Sequence, residues 1–328
     1  MIRNAFRQNA FGRNVVAALC LVASSGAWAQ TFPARPVRIV VPFAAGGSAD
    51  VYARFVGAKL QDALGQPFVI ENRPGGGAVI GTDAVAKSPA DGYTILMMSN
   101  THTINETLIP KKPYDLMRDL APITGVNSQD LLLVVGADVK ANNLREFIAL
   151  AKAQPGKLNY ASSGPGTPYH MAGELFKYMA GVDIVHVPHK GSDQARAAVL
   201  GGQVDMMFDA ISTIVSHTRG GKLKALAATG KTRSAVTPDV PTAAEAGVPG
   251  YEATIWLGLM APAGTPRPIL EKLNLETNKV INAPEVKENW LKQGAVPMGM
   301  PIDQFGRFLR EDAQKWAKLV KDTGMKVD

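Results

Sequence analysis

From Val37 onward, short apolar runs alternate with stretches in which apolar residues recur every three to four positions. This is the order expected of an α/β protein with parallel-rich sheets. Residues 37–42, 67–71, 93–98 and 131–135 read as strands, separated by helical patterns over residues 50–63, 79–87 and 144–153. A second alternating block follows, with strands at 158–161, 184–187, 204–208 and 223–228 and helices at 169–180, 193–200 and 211–219. The chain then holds an extended run at 254–260 and three helical patterns at 269–281, 284–293 and 302–322.

Two alternating blocks in a chain of 328 residues point to two lobes, because a single core stops growing at about 250 to 300 residues. The last helices are expected to return to the first lobe. Lobe 1 is then residues 30–127 plus 229–328 and lobe 2 is residues 128–228. The chain crosses between them twice, near 124–130 and 228–232, and paired crossings make a hinge.

The first residues have a different pattern. Arg3, Arg7 and Arg13 come with no acid, followed by an apolar run over residues 15–23 and small residues ending in Ala27-Trp28-Ala29. This is the three-part form of a cleavable secretory signal over residues 1–29, and nine apolar residues are too few to span a bilayer, which takes about 20. Cys20, the only cysteine, follows Leu19, where lipid attachment would want a small residue. Cleavage after Ala29 leaves a periplasmic chain without cysteine, held together by its core and not by disulfides. It also lowers the net charge from +7 to +4, with the remaining Lys and Arg scattered, so nucleic acid is not indicated as a partner.

Candidate chemistry lies where strands end. The first strand runs into Pro42-Phe43-Ala44-Ala45-Gly46-Gly47-Ser48-Ala49-Asp50. Gly46 and Gly47 permit a tight turn, Ser48 is a candidate helix N-cap, and the N-terminus of the helix leaves unpaired N–H groups at the carboxyl edge of the sheet. Such an edge suits an anion. Asp50 favours the helix dipole but would oppose an anion if it pointed inward. A second loop of the same kind, Ser162-Ser163-Gly164-Pro165-Gly166-Thr167-Pro168, opens the helix that carries Tyr169 and His170, with Thr167 as N-cap and Pro168 at the first helical position. Two facing N-termini, helped by the serine and threonine hydroxyls, can hold one carboxylate each or two ends of a diacid. Residues 99–103, including Thr101, add small polar groups. Asp209 either accepts a hydrogen bond from the ligand or caps the helix near Ile211. Phe43 and Tyr169 would permit an aromatic or a short aliphatic acid.

Other chemistries find little support. No glycine stands two residues before Ser162 or Ser163, so there is no nucleophile elbow and no enzyme is indicated. His186 and His189 lie along a strand, where their side chains point to different faces, and no further ligand cluster joins them. Gly75-Gly76-Gly77 lacks the Lys-Ser/Thr of a phosphate loop. No cofactor or metal is expected.

At these loops the sequence resembles the Bug-type extracytoplasmic receptors of tripartite tricarboxylate transporters. The matching stretches are residues 32–50, Glu71-Asn-Arg-Pro-Gly-Gly-Gly77, Ala90-Asp-Gly-Tyr-Thr94, Val187-Pro-His-Lys-Gly191, Leu200-Gly-Gly-Gln-Val-Asp205 and Ala261-Pro-Ala-Gly-Thr-Pro266. Similar receptors often have Tyr where this chain has His189. The resemblance implies a two-lobed, Venus-flytrap periplasmic-binding-protein fold of the second type, whose two strand-to-helix loops grip a small carboxylate. Carried onto this chain, those loops are Phe43 to Ser48 and Ser162 to Thr167, with Thr101, His170 and Asp209 nearby. It further implies a monomeric receptor whose partners are the large and small membrane subunits of a transporter. A sensor that reads the same closure through a signalling partner is equally compatible with the residues.

Overall fold

The computed structural model describes residues 32–323, so the expected signal peptide lies outside the described residues. The chain divides into a unit of residues 1–34 and a compact unit of residues 35–328, which holds every element below.

The first block forms β1 (Val37–Val41), α1 (Ser48–Leu64), β2 (Phe68–Asn72), α2 (Val79–Ala86), β3 (Thr94–Ser99), α3 (Asn100–Leu108) and the short α4 (Leu116–Asp119). β1 and β3 are apolar and almost wholly buried, as befits strands covered on both faces. Both β2 and β3 pair parallel to β1. α1 ends where Gly65, at φ 72°, turns its N–H back to the carbonyl of Gln61.

β4 (Leu120–Gly136) then runs for 17 residues, three times the length expected for it. Its first part pairs antiparallel with β9 (Thr254–Pro262) and β10 (Ala295–Pro297), and its last part, from Leu131, with β7 (Met206–Ala210) and β8 (Leu223–Ala228). One strand therefore belongs to both halves. Along its last part, alternation sends Leu131, Leu133 and Val135 into one core and Leu132 and Val134 into another on the opposite face.

The second half is completed by α5 (Leu144–Ala153), β5 (Asn159–Ser162), α6 (Pro168–Ala180), β6 (Val185–Pro188), α7 (Ser192–Leu200) and α8 (Ile211–Arg219). β5 pairs parallel with β6 and β7. Beyond β8, the segment holding Ala243, Val248, Tyr251 and Ala253 packs into the same core as Phe176 and Phe208 of the second half. The chain returns along β9, and α9 (Arg267–Asn282), α10 (Pro284–Lys292) and α11 (Ile302–Thr323) follow. Phe305 and Leu309 of α11 join Val40, Leu96 and Trp256 in the core of the first half.

The strand order is β2-β1-β3-β9-β4-β7-β5-β6, with β10 and β8 added on β4. The parallel-rich expectation holds for the outer strands of each half. It fails at β4 and β9, all of whose pairings are antiparallel, because one carries the chain out of the first half and the other carries it back. Among the described residues no helix is long and apolar enough to cross a membrane.

Candidate functional site

Four strand-to-helix junctions meet around a cavity of about 390 Å³, part of which is open to solvent. From the first half it is lined by Phe43, Ala44, Gly47, Ser48 and Ala49 at the start of α1, by Ser99 at the end of β3, and by Ile255 and Leu257 of β9. From the second half come Ser163, Pro168 and Tyr169 at the start of α6, and Lys190, Gly191 and Ser192 at the start of α7. A wider space of about 970 Å³ shares Phe43, Ser163 and Lys190 with it and extends past Pro74 to Ala78, Gly164, Pro165, Thr167 and His189. Neither wall contains an acidic side chain among the described residues.

The first loop is shaped by Gly46, at φ 81°, a conformation L side chains rarely adopt. Its amide donates to Asp50 at 3.0 Å, and Asp50 also accepts from Asn72 at 3.0 Å and pairs with Arg54 at 2.9 Å. Burial would raise the Asp50 carboxyl, yet the hydrogen bonds from Arg54, Gly46 and Asn72 outweigh it and hold it below the usual carboxylate range. Asp50 is thus folded back beneath its own loop and does not line the cavity.

Ser48 is not the N-cap. Gly47 takes that position without a side-chain bond, and Ser48 is the first helical residue. Gly47 fits closely at the cap, since a Cβ there would lie 2.9 Å from Ser192 Oγ and push that hydroxyl aside. Gly191 is fitted in the same way, since its Cβ would come within 2.5 Å of the Ala44 Cβ. The helix starts of the two halves therefore lie in close contact, with small residues on both sides. Ser99 caps α3, its Oγ accepting the Thr101 amide at 3.2 Å while His102 completes the capping box.

In the second loop the expected cap is present. Thr167 accepts from the His170 amide and donates to the Gly164 carbonyl at 2.7 Å, with Pro168 at the first helical position. Ser162 Oγ lies 2.6 Å from His186 Nε2 and accepts the Gly164 amide at 3.1 Å, while His170 Nδ1 accepts the Gly166 amide at 3.2 Å. The His170 and His186 rings pack 4.2 Å apart, and Tyr160 stacks on His186 at 4.8 Å. Burial lowers both imidazoles, His186 to about 3, so they are neutral; His170 accepts from the loop and His186 shares a hydrogen bond with Ser162.

The sequence-derived site residues thus divide. Phe43, Gly47, Ser48 and Ser163 line the cavity, and Thr167 lines the adjoining space. Gly46, Ser162, Gly166 and His170 shape the loops. Thr101 is fully buried and lines neither space. Asp209 is also fully buried, pairs with Arg196 at 2.7 Å, and accepts from Ala210 and Thr213, so it is engaged within the second half. Burial pushes its carboxyl up while Arg196 opposes the rise.

Sequence reasoning missed Lys190, Gly191 and Ser192. The available signal was the strand, short loop and helix start of residues 185–192, the same form as the other two loops.

Residues 52–325 match the family described as the tripartite tricarboxylate transporter family receptor. Protein BugT of Bordetella pertussis is 41% identical over 301 residues, which cover 91% of this chain and 92% of BugT. Among solved structures, Rpa4515 of R. palustris with adipate is 33% identical, with a TM-score of 0.87 over 90% of this chain and 99% of that one. MatC of Rhodopseudomonas palustris with bound malate is 34% identical, with a TM-score of 0.84 over 88% of this chain and 100% of that one. With its two-lobed periplasmic-binding-protein fold, the chain belongs to the receptor family of the tripartite tricarboxylate transporters, as a Bug-type solute receptor.

Proposed function

We propose that this receptor captures a small carboxylate between its two halves and delivers it, as a monomer and without chemical turnover, to the membrane subunits of a tripartite transporter. One observation carries the reading: four helix starts and the hydroxyls of Ser48, Ser99, Ser163 and Ser192 converge on one cavity whose wall holds Lys190 and no acid. Unpaired N–H groups of first helical turns and hydroxyl donors suit an anion, and the exclusion of carboxylates removes the repulsion that would otherwise oppose it. The apolar stretch of Phe43, Pro168, Tyr169, Ile255 and Leu257 suits a short carbon chain or ring. Adipate in Rpa4515 and malate in MatC support the same class of ligand here.

Closure is assigned to two crossings. The first lies at Asp130/Leu131, where the pairing of β4 changes partners. We assign the second to Ala253/Thr254 in place of the residues 228–232 expected from the sequence, a reading supported by the packing of Ala243, Val248, Tyr251 and Ala253 with the second half. Export with cleavage after Ala29 puts the receptor in the periplasm.

A thermal-shift screen of residues 30–328 against paired acids and amides tests capture, and uptake of the labelled acid in a strain lacking the gene tests delivery. Stabilisation by an acid and not by its amide, together with lost uptake, is the expected result. Unimpaired uptake in the deletion strain refutes delivery.

A further inference from the structure

Gln129 lies on β4 two residues before the strand changes partners at Leu131, and it is buried. Both ends of its carboxamide are engaged. Nε2 donates to Ser48 Oγ at 2.5 Å, and Oε1 accepts from Ser212 Oγ at 2.6 Å. Ser48 opens α1 in the first half and lines the cavity. Ser212 stands in the first turn of α8, whose Ile211 and Ile214 belong to a core of the second half. A single side chain on the connecting strand therefore joins the ligand loop of one half to a helix of the other.

The direction of the hydrogens gives this chain its consequence. An amide nitrogen only donates and an amide oxygen only accepts. With Ser212 supplying the proton to Oε1, Nε2 faces Ser48, and the Ser48 oxygen must accept. Its own proton then needs another acceptor. Among the described residues Ser48 Oγ has no second hydrogen-bond partner, and the residue is 1% exposed with the cavity against it. An acceptor in the cavity completes the set.

We infer that Gln129 is a positioning residue that couples closure of the halves to ligand binding, because through it Ser212 turns Ser48 into a hydrogen-bond donor toward the bound carboxylate. The inference rests on the carboxylate reading given above. Opening about β4 draws Ser212 and Ser48 apart, and Gln129 cannot follow both. Ser48 is therefore oriented only in the closed arrangement, and by linkage a ligand that takes its proton favours that arrangement.

Calorimetry with malate and adipate as probes tests this on four variants. Gln129→Met removes both bonds at similar volume and is expected to weaken the better probe about 10-fold. Gln129→Glu keeps the Ser212 bond but offers Ser48 only acceptors, which draws its proton away from the cavity, and about 100-fold weakening is expected. Ser212→Ala, which leaves the cavity wall unaltered, should weaken binding about 3- to 10-fold, and Ser212→Thr should restore it. Affinities within twofold of wild type for both Gln129→Met and Ser212→Ala overturn the inference, even if their melting temperatures fall.

If the wild type binds neither probe, the failure falls on the carboxylate reading, and hydrogen exchange over residues 43–50 decides the positioning role. Faster exchange in both Gln129→Met and Ser212→Ala upholds it, and unchanged exchange in both overturns it.

Discussion

The Asp50 carboxylate accepts the Gly46 amide at 3.0 Å, so the single acid of the first ligand loop braces that loop from beneath. The same group would defeat anion binding if its side chain turned toward the cavity. Arg54 and Asn72 fix the direction in which it points.

Replacing Asp50 with Ala therefore releases the loop. Carboxylate affinity measured by calorimetry should fall about 10-fold or more, because several charge-assisted bonds vanish together. Arg54→Ala should produce a smaller loss in the same direction.

Neighbouring serines should behave differently. Ser163→Ala removes a cavity hydroxyl and should weaken binding about 3- to 10-fold at nearly unchanged stability. Ser162→Ala leaves His186 Nε2 and the Gly164 amide without their partner, and should cost about 1 to 3 kcal/mol of stability in urea titration.

Lys190 stands where the two spaces join. Lys190→Met should weaken a dicarboxylate more than the matching monocarboxylate, because only the longer charge array reaches beyond the helix starts. Equal losses for both acids would place the lysine outside the ligand's reach.

Acid should destabilise the protein through its buried histidines. Burial holds His102 down to about 4 against an ordinary value of 6.5, and it also lowers His170 and His186. The unfolded chain then binds more protons, so stability present above pH 6.5 is lost as the pH falls toward 4. Asp130 has the opposite sign: burial beside Glu252 raises it from 3.8 to about 6, so its contribution is present below pH 4 and lost as the pH rises through 6. Asp130→Asn should accordingly raise the melting temperature at pH 8, by about 2 °C or more, and leave it unchanged at pH 4.

Much of this was legible along the chain because helix caps and strand periodicity are local. The Thr167-Pro168 helix start and the glycine turn before α1 follow from neighbouring residues alone. The first part of β4 does not. Pro122, Gly125, Asn127 and Ser128 carry no strand periodicity, and this stretch is extended because β9 and β10 supply its hydrogen bonds. Lys190 and Ser192 enter the site only because α7 of one half faces Ala44 and Gly47 of the other, a contact between residues about 150 positions apart. Asp209 left two readings open in the sequence, and Arg196, 13 residues earlier, decides where the carboxylate is spent.

The central claim is recognition of a carboxylate by the converging helix starts and serines. Its most direct test is calorimetry of residues 30–328 with adipate and malate, each beside its neutral diamide. Binding of at least one acid with a Kd in the micromolar range or tighter, with no heat from the diamide, is the predicted result. Equal binding of acid and diamide, or of neither, would contradict it.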